Sequence, residues 1–435
     1  MFSKILIANR GEIAVRIIRA CKEMGIATVA IYSQADRDTL HTALADESIC
    51  IGASSPSESY LNEARIISAA LVTGAKAIHP GYGFLSENAH FASLCRKNGI
   101  AFIGPAPEDM ERLGDKAEIK KLASSAGLQV IPGTGVLATA QEAIAAAEEI
   151  GYPVMLKARS GGGGRGIRLA TSKDELLKAF PLAVSESQAA FGDSSVYMEK
   201  YIYPARHIEV QVMADEAGNV VCLGERDCSI QRRHQKLIEE SPSPAVNMQH
   251  RETLIRVVSQ AIKKIGYTGA GTLEFLLDQN GDFWFMEMNI RLQVEHTVTE
   301  MLTGIDLVKW QIRTAAGIPL NFNQEDVTFK GSAVECRVNA LSPGQLNMLH
   351  VPGGPFVRFD TYLVNHIHVS PYYDSLLGKL IVYAGTREEA MRKMKAALCE
   401  LVISGIETNI EQQLAIISSP QFIAGQYDLR FMEGR

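Results

Sequence analysis

The sequence predicts a mixed α/β protein with about three domains, and three observations lead to this prediction. The chain has 435 residues, whereas a single domain typically has ~150. Hydrophobic residues make up 46% of the chain and charged residues 21%, so folding can bury enough apolar surface to offset the entropy lost on ordering. Near the start, short apolar runs alternate with segments of helical spacing, a pattern typical of a parallel sheet with right-handed crossovers.

The first domain is predicted over residues 1–113, with alternating strands and helices. One helix places Ile13, Ile17 and Cys21 on the same face. The predicted elements lie, in order, at residues 4–8, 12–23, 28–32, 60–71, 75–78 and 101–103. No GxGxxG segment follows the first strand, so the similarity to a dinucleotide-binding fold is one of architecture only.

A second domain is predicted over residues 114–330. Asp115 can cap a helix at residues 117–126, because Glu118 lies three positions after the cap and Gly127 follows the end. This start and stop indicate that a new unit begins here.

A small subdomain is predicted at about residues 131–203, inside the second domain. It contains a helix at 140–150, a strand that ends in Lys157, a glycine run and a later strand. Strands dominate from 205 to 300. The third domain, residues 331–435, mixes strands with a late helix at 388–402.

Composition excludes several classes of function. Acidic residues outnumber basic ones, 49 to 43, so the chain has no bulk positive field for nucleic acid or an anionic membrane. No apolar stretch approaches the ~20 residues of a membrane span, and the first apolar run is too short for a signal peptide. The seven cysteines are scattered without a CxxC pair, which fits neither a disulfide framework nor a zinc site. We expect a soluble, cytoplasmic protein with free thiols.

A glycine-rich run, residues 160–166, follows the strand that ends in Lys157. Without Cβ atoms, such a loop can turn its backbone N–H groups toward an anion and close over it. The run lacks the GK[ST] ending of a P-loop. Its position after a lysine favours phosphate binding, and a flexible surface loop is the alternative.

Polar and apolar residues alternate from Glu287 to Glu295, which predicts an extended segment with one polar face. The sequence Asn280-Gly281 predicts a hairpin just before it. A two-residue loop there places Glu274 opposite Glu287, whereas a longer loop makes the contact diagonal. Two facing carboxylates repel unless a positive group lies between them, and with the Asn289 carbonyl they offer hard oxygen ligands for Mg²⁺. Mutual solvation of the two carboxylates is the alternative.

A charged run occupies residues 225–236. Such runs usually form a solvated face, and within this one only Cys228 and Ile230 are predicted to face a core.

These motifs together resemble those of the ATP-grasp biotin carboxylases, the ATP-using components of acetyl-CoA, pyruvate and acyl-CoA carboxylases. The matching segments run almost from end to end: KILIANRGEIAVRIIRA, HPGYGFLSEN, GDKAEIKKLA, GGGGRGIRL, ERDCSIQRRHQKLIEE, GAGTLEF, EMNIRLQVEH, AVECRVNA and PYYDSLLGKLI. The resemblance implies an N-terminal Rossmann-like (pre-ATP-grasp) domain, an ATP-grasp domain with a glycine-loop lid, and a C-terminal α+β biotin carboxylase domain.

The resemblance also implies a set of site residues. The residues that it places on ATP are Lys116, Lys157, Gly163, Gly164, Glu199, Lys200, Tyr201, Ile202, His207, Gln231, His234 and Leu276. The residues that it places on bicarbonate are Lys236, Arg291, Gln293, Val294 and Glu295. Tyr82 and Arg337 match biotin-binding residues, and Glu274, Glu287 and Asn289 match metal ligands for Mg²⁺ or Mn²⁺.

The implied reaction is the carboxylation of biotin by bicarbonate and ATP through carboxyphosphate, the first half-reaction of acetyl-CoA carboxylase in fatty acid synthesis. The implied catalytic residues are Glu295, Arg291, Lys236 and Arg337, with Glu295 as the base and Arg337 beside the biotin ureido oxygen. The implied partners are a biotin carboxyl carrier protein, carboxyltransferase subunits and a second copy of the chain. Residues 392–395 resemble a carrier motif only loosely and lie in a helical pattern, so we expect a separate carrier.

Three departures from the family pattern stand out. Ile290 replaces the usual Thr or Pro, Arg159-Ser160 replaces a small residue and glycine at the base of the glycine loop, and several residues are missing after Asn339-Ala340. The last departure lies just after Arg337 and can alter how this arginine is held. Two other hypotheses therefore stand beside the first: a different ATP-grasp carboxylate ligase, and a catalytically silent nucleotide-binding paralogue.

Overall fold

The N-terminal part of the chain forms a parallel α/β sheet, as the sequence predicts. The computed structural model describes residues 1–159 and 167–434, apart from the side chains of Lys116, Ala117 and Phe191. The first strands and helices are β1 (Lys4–Ile7), α1 (Gly11–Glu23), β2 (Ala27–Ser33), α2 (Leu40–Leu44), β3 (Glu47–Gly52), α3 (Glu63–Thr73), β4 (Ala77–His79), α4 (Ala89–Lys97), β5 (Ala101–Phe102) and α5 (Pro107–Gly114). The five strands lie in the order β3-β2-β1-β4-β5 and pair in parallel.

A helix and a small three-stranded subdomain follow. These elements are α6 (Lys116–Ser125), α7 (Ala140–Ile150), β6 (Val154–Ala158), β7 (Ile167–Ala170), α8 (Lys173–Phe191) and β8 (Val196–Lys200). The backbone N–H of Glu118 donates to Asp115 Oδ1 at 3.1 Å, which confirms the predicted cap of α6. Strand β6 lies between β7 and β8, and α7 and α8 pack on these strands through a small core of their own.

The central and C-terminal parts share one antiparallel sheet of eight strands. The central elements are β9 (Ala205–Ala214), β10 (Val220–Arg232), β11 (Gln235–Ser241), α9 (Met248–Ile265), β12 (Gly269–Asp278), β13 (Phe283–Asn289), α10 (His296–Thr303) and α11 (Leu307–Ala315). The C-terminal elements are β14 (Ser332–Asn339), β15 (Gly344–Gln345), β16 (Met348–His350), β17 (Val357–Thr361), β18 (His368–Val369), β19 (Leu376–Ala384), α12 (Arg387–Glu400), β20 (Val402–Ser404), α13 (Ile410–Ile417) and α14 (Pro420–Ile423).

The strand order of the large sheet is β13-β12-β9-β10-β11-β14-β19-β17, so the pairing of β11 with β14 joins the two parts. Helix α9 buries Leu254, Val258, Ala261 and Ile265, which lie three or four residues apart and form one apolar face against the sheet. Residues 392–395 lie within α12, as predicted. The continuous sheet fixes polar side chains of β9, β10, β11, β12 and β14 relative to one another.

Candidate functional site

The hairpin of β12 and β13 places two glutamates face to face. Glu274 is directly opposite Glu287 in the antiparallel register, which confirms the predicted pairing. The predicted two-residue loop, however, is wrong. The N–H of Asp278 donates to the carbonyl of Asp282 at 3.1 Å, so three residues separate the last pair of the hairpin.

A bulge in β13 reconciles the longer loop with the observed pairing. Phe275 pairs with Phe285, whereas the next residue back, Glu274, pairs with Glu287. Met286 is therefore the extra residue of a β-bulge, which shifts the register by one. Without this bulge, the two glutamates would be only diagonal neighbours.

The extended segment that the sequence predicts from Glu287 to Glu295 is shorter in the structure. Strand β13 ends at Asn289, and Glu295 is the N-terminal cap residue of α10. Ile290 and Leu292 are buried as predicted, but Glu295 is buried as well instead of lying on a solvated face. The prediction of one continuous polar face is therefore wrong beyond Asn289, because the chain turns there to enter a helix.

Lys236 on β11 lies at the centre of three buried carboxylates. Its Nζ is 2.5 Å from Glu295 Oε1, 2.8 Å from Glu209 Oε2 and 3.4 Å from Glu274 Oε1. Burial alone would lower the pKa of Lys236, but the three carboxylates together raise this pKa well above its ordinary value. Lys236 is therefore protonated, and its positive charge stabilises all three carboxylates.

Glu295 joins two cations of the site. Its Oε1 faces Lys236, and its Oε2 accepts a hydrogen bond from Arg337 Nη2 at 2.8 Å. Burial alone would raise the pKa of Glu295, but Lys236 and Arg337 hold this pKa well below its ordinary value. Glu295 is an ionised carboxylate between two cations.

The strand that carries Arg337 stays paired with β19 on both sides of this residue, and its register shifts only between Val338 and Asn339. Strand β14 pairs with β19 as far as Asn339. The side chains of Asn409 and Gln413 donate to the Arg337 carbonyl at 3.0 and 2.8 Å. The short connection therefore leaves the backbone of Arg337 fixed by two side-chain amides.

Glu274 accepts from several donors. Asn289 Nδ2 and Gln293 Nε2 each donate to its Oε1 at 2.9 Å, and His207 Nε2 lies 3.0 Å from its Oε2. Burial opposes ionisation, but Lys236 and His207 together hold the pKa of Glu274 below its ordinary value. The pair of Glu274 and Glu287, with the Asn289 amide oxygen, is a set of hard oxygen donors that fits Mg²⁺.

Arg291 bridges the central sheet and the N-terminal part. Its Nε donates to Glu87 Oε2 at 3.0 Å, and its Nη1 donates to Gln293 Oε1 at 2.8 Å. Its Nη2 lies 3.3 Å from Asn289 Oδ1. The guanidinium thus lies next to both Gln293 and the predicted metal ligands.

Tyr82 reaches the same region through a buried relay. Its hydroxyl donates to Glu12, whose Oε1 lies 3.2 Å from Lys379 Nζ. Lys379 also donates to the Val294 carbonyl at 2.8 Å. The relay joins the N-terminal part, β19 and the turn before Glu295.

Most of the predicted nucleotide residues lie on or next to β6, β8, β9, β10 and β12. Lys157 Nζ lies 2.5 Å from Glu199 Oε2, and Lys120 contacts the other oxygen of Glu199. Leu276 pairs with His207, and Gln231 Nε2 donates to His207 Nδ1 at 2.9 Å. Gly163, Gly164 and the side chain of Lys116 lie outside the described residues.

The remaining members of the nucleotide set have distinct surroundings. Lys200 Nζ donates to the carbonyls of Gly151 and Tyr152 at 2.9 and 3.0 Å. These hydrogen bonds connect Lys200 to the end of α7 within the small subdomain. Tyr201 and Ile202 are half-buried just after β8, and His234 is exposed in the turn between β10 and β11.

The charged run at residues 225–236 differs most from its prediction. Residues 221–230 of β10 are all buried, so the predicted solvated face is wrong for residues 225–230, whereas residues 232–235 are exposed. Arg226 is fully buried and donates to Glu209 Oε1 at 2.6 Å and to Gln211 Oε1 at 2.8 Å. Glu209 was not among the predicted site residues. In the sequence, only its position two residues after His207, on the same face of a strand, points to the site.

The parallel and antiparallel sheets, the two lysines on Glu199 and the facing glutamates define the class of the protein as an ATP-grasp ligase. Models of three domain families match the chain: "Biotin carboxylase, N-terminal domain" over residues 1–110, "Carbamoyl-phosphate synthase L chain, ATP binding domain" over 115–323, and "Biotin carboxylase C-terminal domain" over 335–434.

Known proteins match over their whole length. The chain is 53% identical to the biotin carboxylase of Nostoc sp. over 99% of both chains, and 50% identical to biotin carboxylase 1 of Bacillus subtilis over 100% of this chain and 98% of that one. This chain therefore belongs to the biotin carboxylase family.

Solved structures agree. A Campylobacter jejuni biotin carboxylase with a βγ-ATP complex superposes with a TM-score of 0.97 at 49% identity, over 100% of this chain and 99% of that one. The biotin carboxylase domain dimer of Hydrogenobacter thermophilus 2-oxoglutarate carboxylase, with MgADP, ADP and bicarbonate, superposes with a TM-score of 0.96 at 49% identity, over 100% and 97% of the chains. Among the helices of residues 1–159 and 167–434, none has the length and apolar character to cross a membrane.

Proposed function

We propose that this chain carboxylates biotin with bicarbonate and MgATP, and that the site built around Lys236 and Glu295 does so. The observation that carries the assignment of the site is the convergence of Lys236 and Arg337 on the buried carboxylate of Glu295. Two fixed cations can hold an anion and a developing negative charge, while the carboxylate between them can take up a proton.

Bicarbonate would bind between Arg291 and Lys236, near Gln293 and Val294. Both cations are already held by carboxylates, Glu87 and Glu295, so an anion can exchange for part of these contacts. As bicarbonate takes up part of the Lys236 charge, the pKa of Glu295 rises and it becomes a stronger base for the bicarbonate proton. The bicarbonate oxygen then attacks the γ-phosphoryl group in line, which gives ADP and carboxyphosphate.

ATP would lie along Lys116, Lys157, the segment 199–202, His207, Gln231, His234 and Leu276, beneath the glycine run with Gly163 and Gly164. The lysines and His207 orient the phosphates, and Glu199 holds Lys157 in place until a phosphate replaces it. Glu274, Glu287 and Asn289 would hold Mg²⁺ or Mn²⁺, which neutralises charge on the phosphates when it is bound.

Biotin would lie between Tyr82 and Arg337. Carboxyphosphate breaks down to CO₂ and phosphate, the phosphate removes the proton from biotin N1, and N1 forms the new bond to CO₂. The ureido oxygen gains negative charge in this step, and the guanidinium of Arg337 can donate hydrogen bonds to it. The catalytically silent alternative was motivated by the residues missing after Arg337, and the pairing of β14 with β19 on both sides of this arginine weakens this motivation.

Biotin is presented, in this proposal, by a separate carrier protein, and the product passes to carboxyltransferase subunits of an acetyl-CoA carboxylase. The helical position of residues 392–395 supports a separate carrier. A homodimer is proposed because a similar solved structure is a dimer.

The division at residues 1–113, 114–330 and 331–435 is supported by the three domain matches. The seven cysteines are unpaired, which supports a reducing cytoplasm.

The direct test is phosphate release from ATP with bicarbonate, measured with and without biotin, together with transfer of labelled bicarbonate to biotin. We expect biotin to increase phosphate release and to become labelled. The same rate with and without biotin would favour a different ATP-grasp ligase. Stabilisation by ATP without any turnover would favour a silent nucleotide-binding protein.

The metal assignment predicts the effect of Glu274→Gln. The amide keeps the size of the side chain but removes one negative ligand, so we expect half-maximal activity to need about tenfold or more Mg²⁺, since each 1.4 kcal/mol of lost binding is a factor of ten. The measurement is activity as a function of Mg²⁺ at fixed ATP. The exposed Glu252→Gln is the matched control, and an unchanged Mg²⁺ requirement in Glu274→Gln would contradict the assignment.

A further inference from the structure

Two buried carboxyl groups lie behind Arg337, and the reaction described above does not use them. Glu239 on β11 and Glu335 on β14 are directly opposite each other in the antiparallel register. Both are fully buried. Directly opposed side chains have Cβ atoms only about 4.5–5.5 Å apart, so two negative charges here would repel strongly in a medium of low dielectric constant.

The two carboxyl groups differ in their partners. Glu239 Oε1 accepts from Arg337 Nε at 2.6 Å, with Arg337 Nη2 at 2.5 Å from the same oxygen. Glu335 accepts from the hydroxyl of Thr297. Within residues 1–159 and 167–434, no ion pair to Glu335 is formed by a lysine, arginine or histidine. A buried carboxylate without a cation is costly, so Glu335 is the member that should be neutral.

One oxygen of each group lacks a hydrogen-bond partner among the described residues. These atoms are Glu239 Oε2 and Glu335 Oε1, and both are buried. Two carboxylates cannot satisfy each other, since both only accept. A proton on Glu335 provides a donor for Glu239, directly or through one water, and satisfies both atoms.

We propose that Glu335 is a neutral carboxylic acid that shares its proton with Glu239, and that this pair positions Arg337 for the biotin reaction. The second half of this proposal depends on the function proposed above, and the first half does not. Arg337 then lies beside a pair that carries one negative charge instead of two. The pair then neutralises less of the positive charge of the guanidinium, so more of this charge can stabilise the ureido oxygen. Glu239 fixes the orientation of the guanidinium.

The charges around the pair agree with a bound proton. The titratable and charged groups that act on it are Arg337 and Cys336 on β14, Lys236 on β11, Lys379 on β19 and Glu295 at the start of α10. Burial raises the pKa of Glu335 well above its ordinary value, and Lys379 opposes this only in part. Burial also raises the pKa of Glu239 to about 7, against the effect of Arg337.

Glu335→Gln is a sharp test, because a glutamine has the shape of the neutral acid. Its amide can donate to Glu239 and accept from Thr297. The folded state binds this proton more tightly than the unfolded state does, so the proton stabilises the folded wild type. The stabilisation is complete below the unfolded pKa of about 4.3, and it is lost as pH rises toward the folded pKa. Glutamine has no such loss.

We therefore expect the stability of Glu335→Gln relative to the wild type to increase as pH rises from about 5 to 7, by up to tenfold in the folding equilibrium constant per pH unit. The measurement is unfolding by urea at several pH values, with the exposed Glu252→Gln as a control that shows no such trend. A pH-independent difference, or a Glu335→Gln protein that is less stable or does not fold, would overturn the proposal. These outcomes do not depend on activity.

Activity tests the positioning role. At neutral pH, Glu335→Gln should keep kcat/KM for biotin within about threefold of the wild type, whereas Glu335→Ala should lose about tenfold or more, because Glu239 loses its donor. The KM for ATP should not change in either variant. The fall of wild-type activity at alkaline pH, where the shared proton is lost, should move to higher pH in Glu335→Gln. An unshifted pH profile, or equal losses in both variants, would overturn the positioning role.

Discussion

Replacement of Glu295 by glutamine should abolish most of the bicarbonate-dependent activity while MgATP still binds. The side chain is buried, accepts from Arg337 and contacts Lys236, so glutamine fills the same space but cannot take up a proton. A positioned general base contributes typically 10²–10⁴-fold to a rate, and we expect a loss of about this size in kcat.

The measurement combines two experiments. Phosphate release with bicarbonate and biotin reports the chemical step, and calorimetric titration with MgATP reports binding. Among the described residues, those predicted to bind the nucleotide form no hydrogen bond or ion pair with Glu295, so the dissociation constant of MgATP should stay within about threefold of its wild-type value. The exposed Glu411→Gln serves as a control. A Glu295→Gln enzyme with near wild-type kcat would show that another group takes up the bicarbonate proton.

In the proposed mechanism, the geometry around Glu295 makes its basicity depend on the substrate. The pKa of Glu295 is low because the carboxylate lies between two cations, Lys236 and Arg337. An anion that binds Lys236 and Arg291 reduces this stabilisation of the carboxylate. The proposed base would therefore become stronger once bicarbonate is bound.

The sequence could predict features that depend on local pattern. The cap at Asp115, the helix at 140–150 and the strands that carry Glu274 and Glu287 follow from residue types and spacing over a few positions. The pairing of the two glutamates came from a loop that is one residue too short and from an unforeseen bulge at Met286, so two errors cancelled. A bulge leaves little trace in hydrophobic pattern, since only one residue is added.

The sequence could not predict features that depend on which distant strands become neighbours. Glu239 and Glu335 are almost a hundred residues apart and meet only because β11 pairs with β14. The burial of the charged run in β10 has the same origin, because β9 and β11 pair with both its edges and residues of β9 and α9 supply partners for its charges. From sequence alone, a charged residue is predicted to be exposed unless its partner of opposite charge is known. Arg226 is the clearest example, because its partner Glu209 lies on a neighbouring strand.

Replacement of Arg226 by methionine should cause a large loss of stability. Arg226 is fully buried in β10, and its guanidinium donates to Glu209, Gln211, Thr272 and Thr299 on three different elements. Methionine fills a similar length but removes every donor. Removal of one member of a buried ion pair typically costs about 3–5 kcal/mol, because the other charge stays buried without compensation.

The measurement is the free energy of unfolding in urea, with the exposed Arg256→Met on α9 as the matched control. Glu209 would then depend on Lys236 and on the more distant His207, so it would draw Lys236 away from Glu295 and Glu274. The pKa of Glu295 should rise and activity should fall along with stability. A loss below about 1 kcal/mol would mean that water or another side chain replaces the guanidinium, and that Arg226 does not hold the carboxylate cluster in place.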